Sequence, residues 1–105
     1  MTEPTAALVL RSQDASGVRT LTLNRPDAFN ALSEAMLAAL QAELDAAAGD
    51  DGLRVLVIAA AGRAFCAGHD LKEMRAEPSL AYYPRLFAQC TKLMLAIQKL
   101  PVPVI

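Results

Sequence analysis

Leu53-Arg54-Val55-Leu56-Val57-Ile58-Ala59, then Ala60-Ala61-Gly62-Arg63-Ala64-Phe65-Cys66-Ala67-Gly68, then His69-Asp70-Leu71-Lys72, is the stretch on which the fold turns. Its first part is nearly continuous in apolar side chains, broken only by Arg54. Such a run marks a strand buried on both faces, as in parallel sheets covered by helices. The small residues from Ala60 to Gly68 read as a loop, and a short helix is expected to start near Asp70. Asp is a favoured N-cap residue, so capping is the first role expected of its carboxylate.

Working outward toward the N-terminus, Ser33 is placed to N-cap a helix running to about Ala48. Met36, Leu40, Leu44 and Ala47 recur at three- and four-residue spacing and share one face of it. Gly49-Asp50-Asp51-Gly52 ends that helix, glycine being favoured just past a helix terminus. Before it, Ala7 to Arg11 and Val18 to Leu23 are short apolar stretches separated by Gln13-Asp14-Ala15-Ser16-Gly17. That separator has turn chemistry, which predicts a β-hairpin. Thr20 and Thr22 alternate with Leu21 and Leu23, as in a half-buried strand.

Toward the C-terminus, a second helix is expected after Pro78. Leu80, Tyr83, Phe87, Cys90, Met94 and Ile97 fall at helical spacing along it. Pro84 either begins or kinks that helix, since it lacks a backbone N–H. Pro101-Val102-Pro103-Val104-Ile105 then reads as the proline-marked entry to another buried strand. Strand, strand, helix, strand, helix, strand is an α/β succession. A chain that stops as a strand begins is expected to be the N-terminal part of a longer fold.

Composition narrows the class. Apolar residues make up 54% of the 105 positions, too many for a disordered chain. A net charge of −1 lacks the basic bias of a nucleic-acid binder. Two cysteines, Cys66 and Cys90, build neither a disulfide scaffold nor a metal finger. No apolar run approaches the roughly 20 residues of a membrane span. Met1 to Thr5 carries no secretory pattern. A soluble, intracellular, globular protein, placed in the cytoplasm, is therefore expected.

Two nucleotide-binding patterns are missing: a G-x-G-x-x-G run, and the Lys-Ser/Thr that would have to follow Gly68 in a phosphate loop. His69, Cys66 and Asp70 lie close in sequence but lack the ligand spacing of a metal site, so no metal is expected. The 62–71 loop is what remains. Open α/β folds bind ligands beyond the carboxyl ends of their strands. Small residues let a ligand reach the backbone, and unpaired N–H groups at a helix start can stabilise a developing oxyanion. The plain alternative is that Gly62 and Gly68 only turn the chain.

Three segments carry a resemblance. Thr20-Leu21-Thr22-Leu23-Asn24-Arg25-Pro26-Asp27-Ala28-Phe29-Asn30-Ala31-Leu32 resembles the opening motif of the enoyl-CoA hydratase/isomerase (crotonase) superfamily. Arg54 to Leu71 resembles its first oxyanion-hole block, and Pro101 to Ile105 the strand leading to its second. The His69-Asp70-Leu71-Lys72 variant is most similar to the enoyl-CoA hydratase domain-containing branch.

The resemblance implies the N-terminal part of a crotonase (ClpP-like) fold, a spiral of ββα repeats, over residues 1–105. It also implies a protein that binds acyl-CoA thioesters and holds their enolate with two backbone N–H groups. One belongs to His69; the other, with the acid and base residues and the trimer-forming helices, lies past Ile105. Ala28, Ala67, Gly68, Asp70 and Leu71 match positions along the CoA path, while Arg25 and Lys72 are candidates for its phosphates. For Arg25 and Lys72 the plain alternative is solvated surface charge. No cofactor is implied beyond the CoA of the substrate, and a homotrimer or hexamer is implied for the whole protein.

The side chains have separate readings. The His69 imidazole is of a type that can serve as acid or base, but nothing in the sequence orients it. Cys66 reads as a small apolar residue, having no base in view. Tyr82 and Tyr83 read as packing residues with a polar tip. Glu34, Glu43, Glu73 and Glu77 read as solvated helix faces. The whole protein is expected to hydrate a 2-enoyl-CoA to the 3-hydroxyacyl-CoA. The alternatives are an isomerase, hydrolase, decarboxylase or dehalogenase of the same superfamily, a non-catalytic acyl-CoA-binding protein, or an unrelated interaction domain. The 105 residues alone should show no appreciable hydration of crotonyl-CoA, measured by loss of enoyl absorbance; rapid hydration would refute the placement of the acid and base groups past Ile105.

Overall fold

The computed structural model describes residues 7–76, 79 and 81–105. The sequence readings that fall on Met1–Thr5, Glu77, Pro78 and Leu80 lie outside the described residues. Three strands form one sheet in the order β1 (Val9–Gln13), β2 (Val18–Leu23), β3 (Val55–Ala60). Strands β1 and β2 pair antiparallel from Val9↔Leu23 to Gln13↔Arg19. Strands β2 and β3 pair parallel, from Val18↔Val55 to Leu23↔Ala60.

The hairpin is as expected, but β1 lies two residues further along than Ala7–Arg11. Its turn explains the shift. The Asp14 carboxylate accepts the N–H groups of Ser16 (2.8 Å) and Val18 (3.1 Å), which closes the turn tightly. The ladder therefore reaches Gln13 despite its polarity, because main-chain pairing needs no apolar side chain. Gly17 has φ +89°, and a Cβ there would stand 2.7 Å from the Gly52 carbonyl oxygen. Both the backbone angle and the close approach require glycine.

Helix α1 (Glu34–Ala48) crosses between the parallel strands. The Ser33 hydroxyl accepts the Met36 N–H at 3.1 Å, as a helix N-cap should. Met36, Leu40, Leu44 and Ala47 are buried on one face, and Leu37 joins them. Gly49 caps the helix with φ −96°, so its left-handed freedom is not used. Asp50 closes the end instead: its N–H reaches the Ala47 carbonyl and its carboxylate accepts the Gly52 N–H.

Strand β3 corrects the expectation of burial on both faces. Only Leu56 is fully buried; Ile58 and Ala60 are half-buried against the core, which α1 and α3 (Tyr82–Lys99) also line, and Val55, Val57 and Ala59 are half-buried without joining it. Residues 103–105 do run parallel to β3, with Leu56 N–H to Pro103 at 3.0 Å and Ile58 N–H to Ile105 at 2.9 Å. Strand β3 is thus flanked on both edges.

Helix α3 is also corrected. Pro84 does not begin it but sits in its first turn, where a missing N–H costs no intrahelical bond. Its core-facing residues are Tyr82, Leu86 and Leu93, followed by Leu100 just past its end. The apolar stripe read from the sequence, Tyr83, Phe87, Cys90, Met94 and Ile97, is rotated about one residue away. Phe87 and Met94 are exposed, and Tyr83, Cys90 and Ile97 half-buried. No described helix is long and apolar enough to cross a membrane.

Gly17→Ala should destabilise the protein by about 1–3 kcal/mol, the usual cost of an enforced left-handed angle. Gly49→Ala, at an ordinary backbone angle, should be neutral or slightly stabilising. Urea denaturation midpoints of the two variants check the contrast; equal midpoints would refute it.

Candidate functional site

The 62–71 loop is held by the earlier 24–31 loop, and Asn30 joins them. It is fully buried, and its backbone has φ +55°, a conformation Asn tolerates better than most residues. Its amide oxygen accepts the Arg25 N–H at 2.8 Å. Its amide nitrogen donates to the carbonyls of Ala61 and Ala64, both at 2.9 Å. A Cβ at Gly62 would stand 2.7 Å from the Pro26 Cβ, so the two loops pack too closely for any other residue there. The Ala67 N–H donates to the Phe29 carbonyl at 3.0 Å and closes the seam.

Past that seam the chain runs as a short parallel bridge. Leu32 N–H reaches the Gly68 carbonyl at 2.7 Å, and Asp70 N–H reaches the Leu32 carbonyl at 3.2 Å. The bridge uses the groups on either side of His69 and leaves the His69 backbone N–H without an acceptor among the described residues. Gly68 supplies the turn with φ +93°, in open space. The Cys66 thiol accepts the Gly68 N–H at 3.4 Å, so Cys66 steadies the loop as well as packing against the core.

The expected site residues therefore converge, with distinct roles. Ala28 lies in a single 3-10 turn, Pro26–Ala28, its N–H bonded to the Arg25 carbonyl. Arg25 is not a free surface cation: its guanidinium donates to the Asp70 carboxylate at 2.7 Å. Asp70 is buried and also accepts the Glu73 N–H at 3.1 Å, capping α2 (Leu71–Ala76) as expected. Leu71 and Lys72 project outward from the start of α2, Leu71 with 69% of its surface exposed. The His69 ring meets Phe87 edge-on at 5.4 Å, and its Nδ1 is buried without a partner.

Glu73 is not a solvated face. Its carboxylate accepts the Glu34 N–H at 2.8 Å and the Tyr82 hydroxyl at 3.3 Å, tying α2 to the other helices. Tyr83 donates to the Met74 carbonyl at 3.3 Å, so both tyrosines pack with a bonded polar tip. Glu43 lies 3.8 Å from Arg11 in an ion pair.

Beneath Phe65 and Cys66 lies an apolar cavity of about 190 Å³. Leu23 and Ile58 of the sheet form its floor, Leu40 and Leu44 of α1 one wall, and Leu93, Met94 and Ile97 of α3 the other. Part of the rotated stripe on α3 therefore faces this cavity, and Phe87 faces His69. Sequence reasoning missed Asn30 and the cavity. The signal for Asn30 was present: a polar residue in a Pro-started turn, of a type that accepts positive φ.

The Asp70 carboxyl is held below its ordinary range, first by the hydrogen bond from Arg25, then by the Glu73 N–H, with partial burial opposing them. The loop thus joins a backbone N–H with no described acceptor, at His69, to residues that line an apolar cavity, Leu32 and Cys66.

The family model described as enoyl-CoA hydratase/isomerase matches residues 18–105. Enoyl-CoA hydratase domain-containing protein 3, mitochondrial, from Xenopus laevis is 45% identical over 93 residues, covering 89% of this chain and 32% of that protein. The 1,2-epoxyphenylacetyl-CoA isomerase of Escherichia coli is 44% identical over 63 residues, 60% of this chain and 24% of that one. Among solved structures, an enoyl-CoA hydratase from Mycobacterium smegmatis superposes with a TM-score of 0.92 at 65% identity, covering 93% of this chain and 38% of that one. The chain spans about a third of the length of the Xenopus relative.

Asp70→Asn keeps a capping side chain but removes the ion pair with Arg25. The folded pKa is depressed, so the stabilisation is present above the unfolded value of about 3.9 and is lost as pH falls through the folded value. Urea midpoints should differ most between wild type and Asp70→Asn near neutral pH and converge in acid. A constant gap across that range would refute the ion pair as its source.

Proposed function

Because the chain belongs to the enoyl-CoA hydratase/isomerase family, we propose that the 62–71 loop binds the thioester of an acyl-CoA and stabilises its enolate. The observation that carries this reading is the unpaired backbone N–H of His69, fixed between two bridge hydrogen bonds beside an apolar cavity. Backbone donors held in place before reaction stabilise developing charge without having to reorient, which makes them effective catalysts.

The reaction proposed is hydration of a 2-enoyl-CoA. Water adds its oxygen to C3 and loses a proton, C2 gains a proton, and the thioester oxygen carries negative charge between the two events. His69 N–H donates to that oxygen. The small side chains of Ala28, Ala67 and Gly68 leave the backbone open to the CoA moiety. Lys72, exposed and outside every described ion pair, suits its phosphates. Arg25 and Asp70 act as a positioning pair, since each is engaged by the other. Acid and base groups are proposed to lie outside these residues, since the chain spans about a third of the Xenopus relative's length. No cofactor other than the CoA of the substrate is required.

Isomerisation is the second reading, favoured by the match to a family described as enoyl-CoA hydratase/isomerase. It also passes through a thioester enolate, formed here by removing a C2 proton from a 3-enoyl-CoA and discharged by protonation at C4, with no water added. Thioester hydrolysis and non-catalytic acyl-CoA binding use the same contacts and differ in the proton-handling groups. A homotrimer or hexamer, located in the cytoplasm, completes the proposal; the free thiols of Cys66 and Cys90 suit a reducing compartment.

Two variants of the full-length protein separate backbone from side chain. His69→Pro removes the N–H and should lower kcat about 10²- to 10³-fold, the usual cost of one such donor. His69→Ala keeps the N–H and should retain most activity. Product analysis by chromatography distinguishes the 3-hydroxyacyl-CoA from a shifted double bond. Equal losses in both variants would assign the role to the imidazole instead.

A further inference from the structure

Helix α2 has six residues, Leu71–Ala76, and fully buries none of them. Helices shorter than about 12–15 residues are marginal in water on their own. Only Met74 packs against the core, and it is half-buried. Hydrogen bonds therefore do most to place this helix. Asp70 caps its start, and the Tyr83 hydroxyl donates to the Met74 carbonyl near its end. Glu73 lies between them and reaches both neighbouring helices. Its Oε1 accepts the Glu34 N–H at 2.8 Å and the Tyr82 hydroxyl at 3.3 Å.

The Glu34 N–H opens α1, where the first N–H groups have no acceptor within the helix. Ser33 satisfies the one at Met36, and Glu73 satisfies the one at Glu34 from a distant part of the chain. That reference point is well packed, because Met36 and Leu37 of the same turn are fully buried. Tyr82 is buried too, at the start of α3. Glu73 thus ties the first turn of α2 to two helices anchored in the core. Leu71 and Lys72, the exposed residues just before it, take their place from this tie.

We infer that Glu73 is a positioning residue for the acyl-CoA. It holds Leu71 and Lys72 along the path of the CoA moiety, and it works as a hydrogen-bond acceptor rather than as an acid or base. The inference rests on the thioester reading above and adds a residue to it. Both bonds fall on one oxygen, which the amide oxygen of glutamine can replace. The His69 N–H is held independently, by the Leu32 bridge and the Arg25–Asp70 pair. Loss of Glu73 therefore weakens CoA binding and leaves the oxyanion donor in place.

Glu73→Ala and Glu73→Gln in the full-length protein test this, by calorimetric titration with CoA and butyryl-CoA and by steady-state kinetics with crotonyl-CoA. Glu73→Ala removes two hydrogen bonds and should raise KM, and the Kd of both probes, about tenfold. Its kcat should be retained, the pattern of lost uniform binding. Glu73→Gln should restore the wild-type Kd and KM. Hydrogen exchange over residues 71–76 should quicken in the alanine variant alone. Gly17→Ala is the control: it destabilises the opposite end of β2 and should leave Kd unchanged.

Unchanged affinity in Glu73→Ala, or equal weakening in Glu73→Gln or in Gly17→Ala, would each overturn the inference. A fall in kcat at constant Kd would also overturn it and make Glu73 an acid or base. The two readings fail differently. Wild type that binds no CoA sinks both, whereas tight wild-type binding that ignores Glu73→Ala sinks this inference alone. Binding without turnover of crotonyl-CoA sinks the hydration reading, and the titrations still decide the role of Glu73.

Discussion

The buried side chain of Asn30 is the constraint on which the rest of the site depends. It joins three backbone groups that belong to two loops, and none of them has another described partner. An unsatisfied buried polar group costs roughly 1–3 kcal/mol, so a single amide that serves three of them has no apolar substitute. Its positive φ also turns the chain so that Leu32 can bridge to the segment around His69. The Arg25–Asp70 pair and the Ala67–Phe29 hydrogen bond then brace what Asn30 has positioned. The free donor at His69 is a product of this bracing: its neighbours use up every bridge position except its own.

Helix α3 serves two neighbours at once. Tyr82, Leu86 and Leu93 pack into the core, while Phe87, Met94 and Ile97 border the site loop and its cavity. A helix with one apolar stripe usually buries it in the core. This helix has a second stripe, rotated by about one residue, whose apolar character serves the loop side. The exposed Phe65 and Leu71 lie on the same loop and the helix that follows it, which concentrates exposed apolar surface where a ligand would enter.

Much of this was legible in the sequence because local rules govern it. Strand β2 and the Ser33 cap were read to the residue, and the buried face of α1 missed only Leu37. Strand β1 was misplaced by two residues because an Asp side chain, not apolarity, fixes the turn. The stripe on α3 was read about one residue away from the face that carries Tyr82, Leu86 and Leu93, since periodicity reports that a face is apolar and not what covers it. Arg25 looked like a free cation because its partner stands 45 residues away. Asn30 was passed over for the same reason: its acceptors are 31 and 34 residues distant, and no short window contains them. The loop around His69 was located by its family resemblance and its small residues, but the hydrogen bonds that free its N–H are tertiary.

The parallel pairing of β2 with β3 bears on the order in which the molecule assembles. Parallel neighbours cannot be joined by a tight turn; here the entire 24–54 segment must close as a loop before the first rung forms. The Asn30 and Leu32 contacts reach residues 61 to 70, beyond that closure, and close long loops of their own. The donor site is therefore among the last parts of the chain to become ordered, after the hairpin and α1 have local structure of their own. By the same logic it is among the first to loosen when the fold opens, so a ligand seated on it would act as a clasp on a late and easily reversed step of folding.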